Sequence, residues 1–153
     1  MKQLLFGTAF FLFFLNTING QEASKWTSES SFMEWNFGAA FISDEGIAMP
    51  GTSLLWGKTF INENNFILEY EAGFAFPSIV TGKIGIGEKY NNTMVTFGVR
   101  PFPMHLYTQA SFSVGTNSYW IVSLEVSPLG ADARASMYSL GIINFGYRWN
   151  LDK

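Results

Sequence analysis

The feature that most constrains this chain is an alternation with a period of two, in which apolar, often aromatic residues trade places with small or polar ones. In residues 33–41, Met33, Trp35, Phe37, Ala39 and Phe41 alternate with Glu34, Asn36, Gly38 and Ala40. Successive side chains of a β-strand point to opposite faces, so this spacing puts rings on one face and small or polar groups on the other. Residues 66–76 repeat it, with Phe66, Leu68, Tyr70, Ala72, Phe74 and Phe76 opposed to Ile67, Glu69, Glu71, Gly73 and Ala75. Ile84 and Ile86 oppose Lys83, Gly85 and Gly87, and Val95, Phe97 and Val99 oppose Thr96, Gly98 and Arg100. Leu106, Thr108, Ala110, Phe112 and Val114 oppose His105, Tyr107, Gln109, Ser111 and Ser113. Trp120, Val122, Leu124 and Val126 oppose Tyr119, Ile121, Ser123 and Glu125. The last such strand sets Ile143, Phe145, Tyr147, Trp149 and Leu151 against Asn144, Gly146, Arg148 and Asn150.

Residues 52–61 make an eighth, less regular strand. Lys58 shares a face there with Leu54, Trp56 and Phe60, which puts the lysine at a rim or calls for a bulge. Turn-rich segments at 43–51, 62–65, 77–78, 88–92, 101–104, 115–118 and 128–134 separate the eight. Pro101 and Pro103 donate no ladder hydrogen bond and so belong at a strand end. An even number of antiparallel strands returns both chain ends to one side, as in single-chain bacterial barrels. The chain has no cysteine, so an exported domain built from it gains nothing from disulfides, and strands paired all the way round are an alternative source of stability.

Export is written in the N-terminal segment. Lys2 gives a positive start, residues 4–15 are apolar, and residues 16–20 (NTING) form a small, polar exit. That is the pattern of a secretory signal peptide over residues 1–20, with cleavage expected after Gly20. The apolar run falls short of the roughly 20 residues of a spanning helix. Residues 21–31 read as a polar lead-in tail and residues 32–151 as a single barrel domain.

Charged residues make up 14% of the chain against the roughly 25% usual for soluble domains, while aromatics reach 18%. The polar faces of the strands carry mostly Gly, Ala, Ser, Thr and Asn, too little charge for a surface meant to meet water. Turned inward, they suit the narrow interior of an eight-stranded barrel, which side chains can fill. Glu34, Glu69, Glu71 and Glu125 then face Lys83, Arg100 and Arg148 in an interior ionic network, with Lys58 as a further member if it points in. The apolar faces turn outward to lipid, with Trp35, Tyr70, Trp120, Tyr147 and Trp149 as aromatic girdles. The opposite arrangement is a secreted or periplasmic soluble barrel that binds an apolar ligand among inward rings. The direction of Phe66, Leu68, Phe74, Phe145 and Trp149 separates the two.

The alternating strands, the NTING exit and the aromatic ending at residues 145–151 (FGYRWNL) together resemble the small eight-stranded outer-membrane barrels of the OmpA/OmpX type. More loosely, the chain resembles uncharacterised exported barrel proteins of Bacteroidetes-like bacteria. The resemblance implies an all-β, up-and-down antiparallel transmembrane barrel in the outer membrane of a diderm bacterium. Its partners would be membrane lipid and the barrel-assembly machinery. The resemblance carries over no functional residue, and the connections look shorter than such barrels commonly have.

Few residues offer chemistry. His105 is the sole histidine; Ser111 on the same strand is roughly 20 Å away, leaving Ser123 or Ser139 on other strands as partners for a Ser-His pair. Lipid A deacylase barrels pair His and Ser two residues apart, a position held here by Tyr107. Glu69 and Glu71 face the same way, as paired acids for glycoside chemistry or a cation site would, but the basic residues on that face make them salt-bridge partners first. Residues 82–87 carry alternating glycines without the spacing of a phosphate loop, and Asp44, Glu45 and Asp132 lack a calcium-loop spacing. With 9 basic against 12 acidic residues there is no basic patch for nucleic acid. The expectation is a non-enzymatic barrel without cofactor or metal, in a structural or envelope-interaction role. A lipid-modifying enzyme is the less favoured alternative.

Overall fold

The alternating segments become eight strands that pair in chain order and close on themselves. In a computed structural model that describes residues 25–42, 48–128 and 139–152, the strands are β1 (Trp26–Phe41), β2 (Ala48–Asn62), β3 (Phe66–Phe76), β4 (Ile79–Tyr90), β5 (Thr93–Arg100), β6 (His105–Ser113), β7 (Ser118–Val126) and β8 (Gly141–Asn150). Every neighbouring pair is antiparallel, and β8 pairs with β1 to close the barrel. The all-β, eight-stranded, up-and-down architecture expected from the alternation is the one found. The expected signal peptide, residues 1–20, lies outside the described residues.

The register fixes the shape. Paired residues followed from Ser30 run through Thr59, Glu69, Gly85, Gly98, Tyr107, Glu125 and Ile142, and return to β1 at Ala40. One circuit therefore advances ten residues along β1. With about 3.3 Å of rise per residue and about 4.8 Å between strands, that stagger over eight strands corresponds to a tilt of roughly 40°. Ten residues at that tilt climb about 25 Å, the height of the apolar band of an outer-membrane barrel.

The start of β1 and the end of β8 lie at one rim with three tight connections, Glu63 to Asn65, Asn91-Asn92 and Val114 to Asn117. Asn65 and Asn91 take positive φ values of 62° and 52°, a conformation asparagine tolerates better than most residues. The opposite rim carries two short connections and two longer ones, residues 42–47 and 127–140, the latter far longer than the turn expected at 128–134. Residues 43–47 and 129–138 within them lie outside the described residues.

Three differences from the sequence-based expectation have physical reasons. First, β1 begins at Trp26, inside the stretch read as a tail, because Ser28 to Ser31 pair with Lys58 to Ile61 of the long β2. Pairing with an extended neighbour satisfies the backbone of a polar segment that has no apolar pattern to announce it. Second, residues 52–61 pair with β3 without interruption, and Lys58 points outward to an ion pair with Glu29. The rim placement is right, and Lys58 is no member of the interior network. Third, Trp35, Trp120, Tyr147 and Trp149 do not divide between two girdles. They gather on β1, β7 and β8, where Tyr147 pairs across with both Trp35 and Trp120 and its ring centroid lies 4.9 Å from those of Trp120 and Trp149. Tyr70 stands apart on β3, against Phe60. Closure of the last strand on the first builds this cluster, and no local pattern encodes it.

Candidate functional site: the lumen

Inward and outward positions follow strand parity along the barrel, except that a register shift between Trp26 and Ser28 turns Trp26 outward against Phe60 and Phe66. Phe66, Leu68, Phe74, Phe145 and Trp149 all lie on the outward face, and Phe74 and Phe145 keep 64% and 53% of their surface exposed. Within the strands, outward charges are limited to Glu29, Lys58 and Glu88, all near the rim where β1 starts and β8 ends. A trough of about 540 Å³ on the outer wall, lined by Met33, Trp35, Leu54, Phe74, Phe76 and Trp149, is part of this apolar surface.

The lumen holds the seven residues singled out for an ionic network, and the structure brings all of them into one connected cluster. Arg148 is its hub. Its guanidinium reaches Glu34 Oε2 through Nε at 2.8 Å and Nη2 at 2.6 Å. It also forks onto Glu69, with Nη1 donating to Oε2 at 2.6 Å and Nη2 to Oε1 at 2.9 Å. Two planar carboxylates around one planar donor suit arginine's fixed geometry. A face of the guanidinium lies on the Phe32 ring, 3.7 Å from its centroid.

Lys83 links this hub to the opposite end of the lumen. Its Nζ is 3.1 Å from Glu71, 3.9 Å from Glu34 and 3.8 Å from Glu125, and it donates to Gln109 Oε1 at 3.2 Å. Glu125 Oε1 accepts from Arg100 Nη2 at 2.7 Å and from Asn144 Nδ2 at 2.9 Å. Four carboxylates thus meet three cations with almost no solvent access. A buried charge is tolerated only with such partners, and removing one strands the others. Glu69 and Glu71 are taken up by Arg148 and Lys83, and Thr59 Oγ1 also donates to Glu69 at 2.8 Å.

The inward positions differ in bulk along the barrel. Toward the chain ends, Phe32, Ile67, Met94 and Ile121 are buried. Asn144 crosses the seam to lie over Gly38, and Asn36 crosses it to lie over Gly146. A Cβ at either glycine would collide with the partner strand's amide, so the closing register itself requires glycine there. Toward the long connections the small residues Gly38, Ala40, Ser53 and Ala75 leave a cavity of about 250 Å³, with Arg100 and Asn144 also lining it.

His105 sits beside this mouth with no exposed surface. Its Nδ1 lies 3.0 Å from the Pro103 carbonyl. Its Nε2 lies 2.9 Å from the Ser139 carbonyl and 3.0 Å from Ser139 Oγ. Ser139 is one of the two serines considered from sequence; Ser123 instead accepts from Asn144 at 3.1 Å. With Pro103 at one ring nitrogen and Ser139 at the other, the ring is a tether between the β5–β6 turn and the return of the β7–β8 connection. Where a Ser-His-Asp triad places an acid, His105 meets a backbone oxygen.

No family model matches the chain, and no curated protein matches it. Among solved structures, it is similar to a de novo designed transmembrane β-barrel at 12% identity and a TM-score of 0.47, with 83% of this chain and 100% of that one covered. It is also similar to the designed barrel TMB2.3, determined by solution NMR, at 11% identity and a TM-score of 0.46, covering 81% and 97%.

Proposed function

We propose that this protein is a non-enzymatic outer-membrane β-barrel of a diderm bacterium, small and OmpA/OmpX-like, with a side-chain-filled interior and a structural or envelope-interaction role. In this reading residues 1–20 direct export and are removed, the barrel-assembly machinery inserts the remainder, and membrane lipid covers the outer wall. One observation carries it: the polarity of the barrel is inverted relative to a water-soluble one. Rings and branched aliphatics point out on all eight strands, while Glu34, Glu69, Glu71, Lys83, Glu125 and Arg148 are buried inside. In water such a wall would be an exposed apolar patch far above what a monomer tolerates; in a bilayer it is the favourable surface.

The soluble carrier of an apolar ligand needs rings lining the lumen, and the rings named for that purpose face away from it. The lipid-modifying enzyme has one contact in its favour, the Ser139 hydroxyl on His105, but no carboxylate among the hydrogen-bond partners found for His105 and no exposed surface on its ring.

Fractionation tests the proposal. The mature chain is expected to stay with the outer membrane through salt and carbonate washes, to need detergent for release, and to run on gels with a mobility that changes on boiling. Release by washing alone, with no such mobility shift, would overturn it.

A further inference from the structure

Among the described residues, the buried charges inside the barrel include one carboxylate more than cations. Glu34, Glu69, Glu71 and Glu125 face Lys83, Arg100 and Arg148, each of them at most 6% exposed. Three of the four acids are met by hydrogen bonds. Glu34 accepts from Asn36 and Arg148, Glu69 from Thr59 and Arg148, and Glu125 from Arg100 and Asn144. Glu71 is the exception, because both of its carboxylate oxygens are buried without a hydrogen-bond donor. Its nearest cation, Lys83 Nζ at 3.1 Å, also serves Glu34, Glu125 and Gln109 Oε1. Arg148 comes within 3.8 Å of Glu71, but its donors go to Glu34 and Glu69. Asn36 Oδ1 and Glu125 Oε2 lack donors as well, so the interior is short of protons to share.

We propose that Glu71 holds a proton at neutral pH, so that three ionised carboxylates balance three cations in the lumen. A proton needs no cavity, and the Glu71 oxygens have no surface that a larger ligand could touch. Two effects select this residue. An anion without hydrogen bonds is the costliest of the four to keep buried. Like charges also crowd it, since Glu69 lies two residues along β3 and Glu34 of β1 shares Lys83 and Arg148 with it. Where carboxylates share a site, one of them keeps its proton. The remaining walls bring it no further cation. Gly57 of β2 packs against its Cβ, Tyr107 of β6 offers a ring to Lys83, and Arg100 of β5 is committed to Glu125 of β7. A protonated Glu71 supplies an O–H donor where donors are lacking.

The test uses the barrel folded in detergent micelles, with glutamate ¹³C-labelled at the side-chain carboxyl. At neutral pH the Glu71 signal is expected at the position of a protonated acid, with the deuterium isotope shift of a carboxyl O–H, and those of Glu34, Glu69 and Glu125 at the ionised position. Glu71 is assigned by the loss of its signal in Glu71→Gln, or by its contact with Gly57 should that variant not fold. Linkage gives a second readout in urea titrations of the same micelles. A proton held by the folded state alone makes the parent's folding constant fall tenfold per pH unit relative to that of Glu71→Gln, starting above the ordinary glutamate value of about 4.3. At neutral pH Glu71→Gln is therefore expected to unfold at a higher urea concentration than the parent, and Glu69→Gln at a lower one. Four ionised carboxyls, a proton on another of the four, or a Glu71→Gln barrel no more stable than the parent at neutral pH would overturn the proposal. Both readouts need only a folded barrel, so they can fail or succeed independently of the fractionation that tests the membrane reading.

Discussion

The two halves of the lumen are built on the same strands with the same alternation, yet one is packed and the other is open. Toward the chain ends, Phe32, Ile67, Met94 and Ile121 are buried, and the Arg148 guanidinium lies on Phe32 while holding Glu34 and Glu69. Toward the long connections, Gly38, Ala40, Ser53 and Ala75 border a cavity, and Arg100 keeps a free donor. Topology and register are shared, so the difference lies in side-chain volume at inward positions. An eight-stranded barrel is neither a pore nor a plug by virtue of its strand number. Its lumen is what its inward residues leave.

The contrast is broken most severely at the hub. Arg148→Met removes the shared partner of Glu34 and Glu69, and is expected to cost about 3–5 kcal/mol of unfolding free energy, read as a shifted urea midpoint for the barrel in lipid vesicles. A loss under about 1 kcal/mol would show that the carboxylates do not depend on it. Phe32→Ala should open the packed half and cost about 3 kcal/mol in the same titration. A near-neutral result would mean that the two halves are packed alike.

His105→Ala should cost less, about 1–2 kcal/mol, since it removes the buried ring that links Pro103 to Ser139. Amide exchange should accelerate at Leu140 and Ser127, whose backbone bonds hold the return of the β7–β8 connection. Unchanged exchange would exclude the tether. The smallest effect is expected from Ala75→Leu, which enlarges a side chain where there is room and should stay within about 1 kcal/mol of the parent, in contrast with the roughly 1–3 kcal/mol usual for overpacking a filled core.

Much of this barrel was legible in the sequence because period two is a local property. Glu34, Asn36 and Gly38 had to face away from Trp35 and Phe37 whatever the strands paired with, and the division of the seven clear strands into two faces follows from that rule; which face lines the lumen does not. Lys58 was ambiguous because one charge on an apolar face fits a rim or a bulge equally, and its Glu29 partner lay in a stretch without pattern. The Trp26 to Ser31 extension was missed for the same reason: only the length of β2 makes those residues a strand. The contact between His105 and Ser139 joins residues 34 apart in the chain, and sequence could name the serine only as one of two.

The sequence by itself determined the number of strands and the membership of their two faces, since these depend on the alternation of side chains along an extended backbone. Only the tertiary structure decided which face turns inward, which charges meet, where the aromatic cluster forms and which end of the lumen is open. The last three depend on the ten-residue stagger of the closed sheet, which sets inward residues from distant strands at common heights. A stagger is a property of pairing between strands, and no single strand carries it.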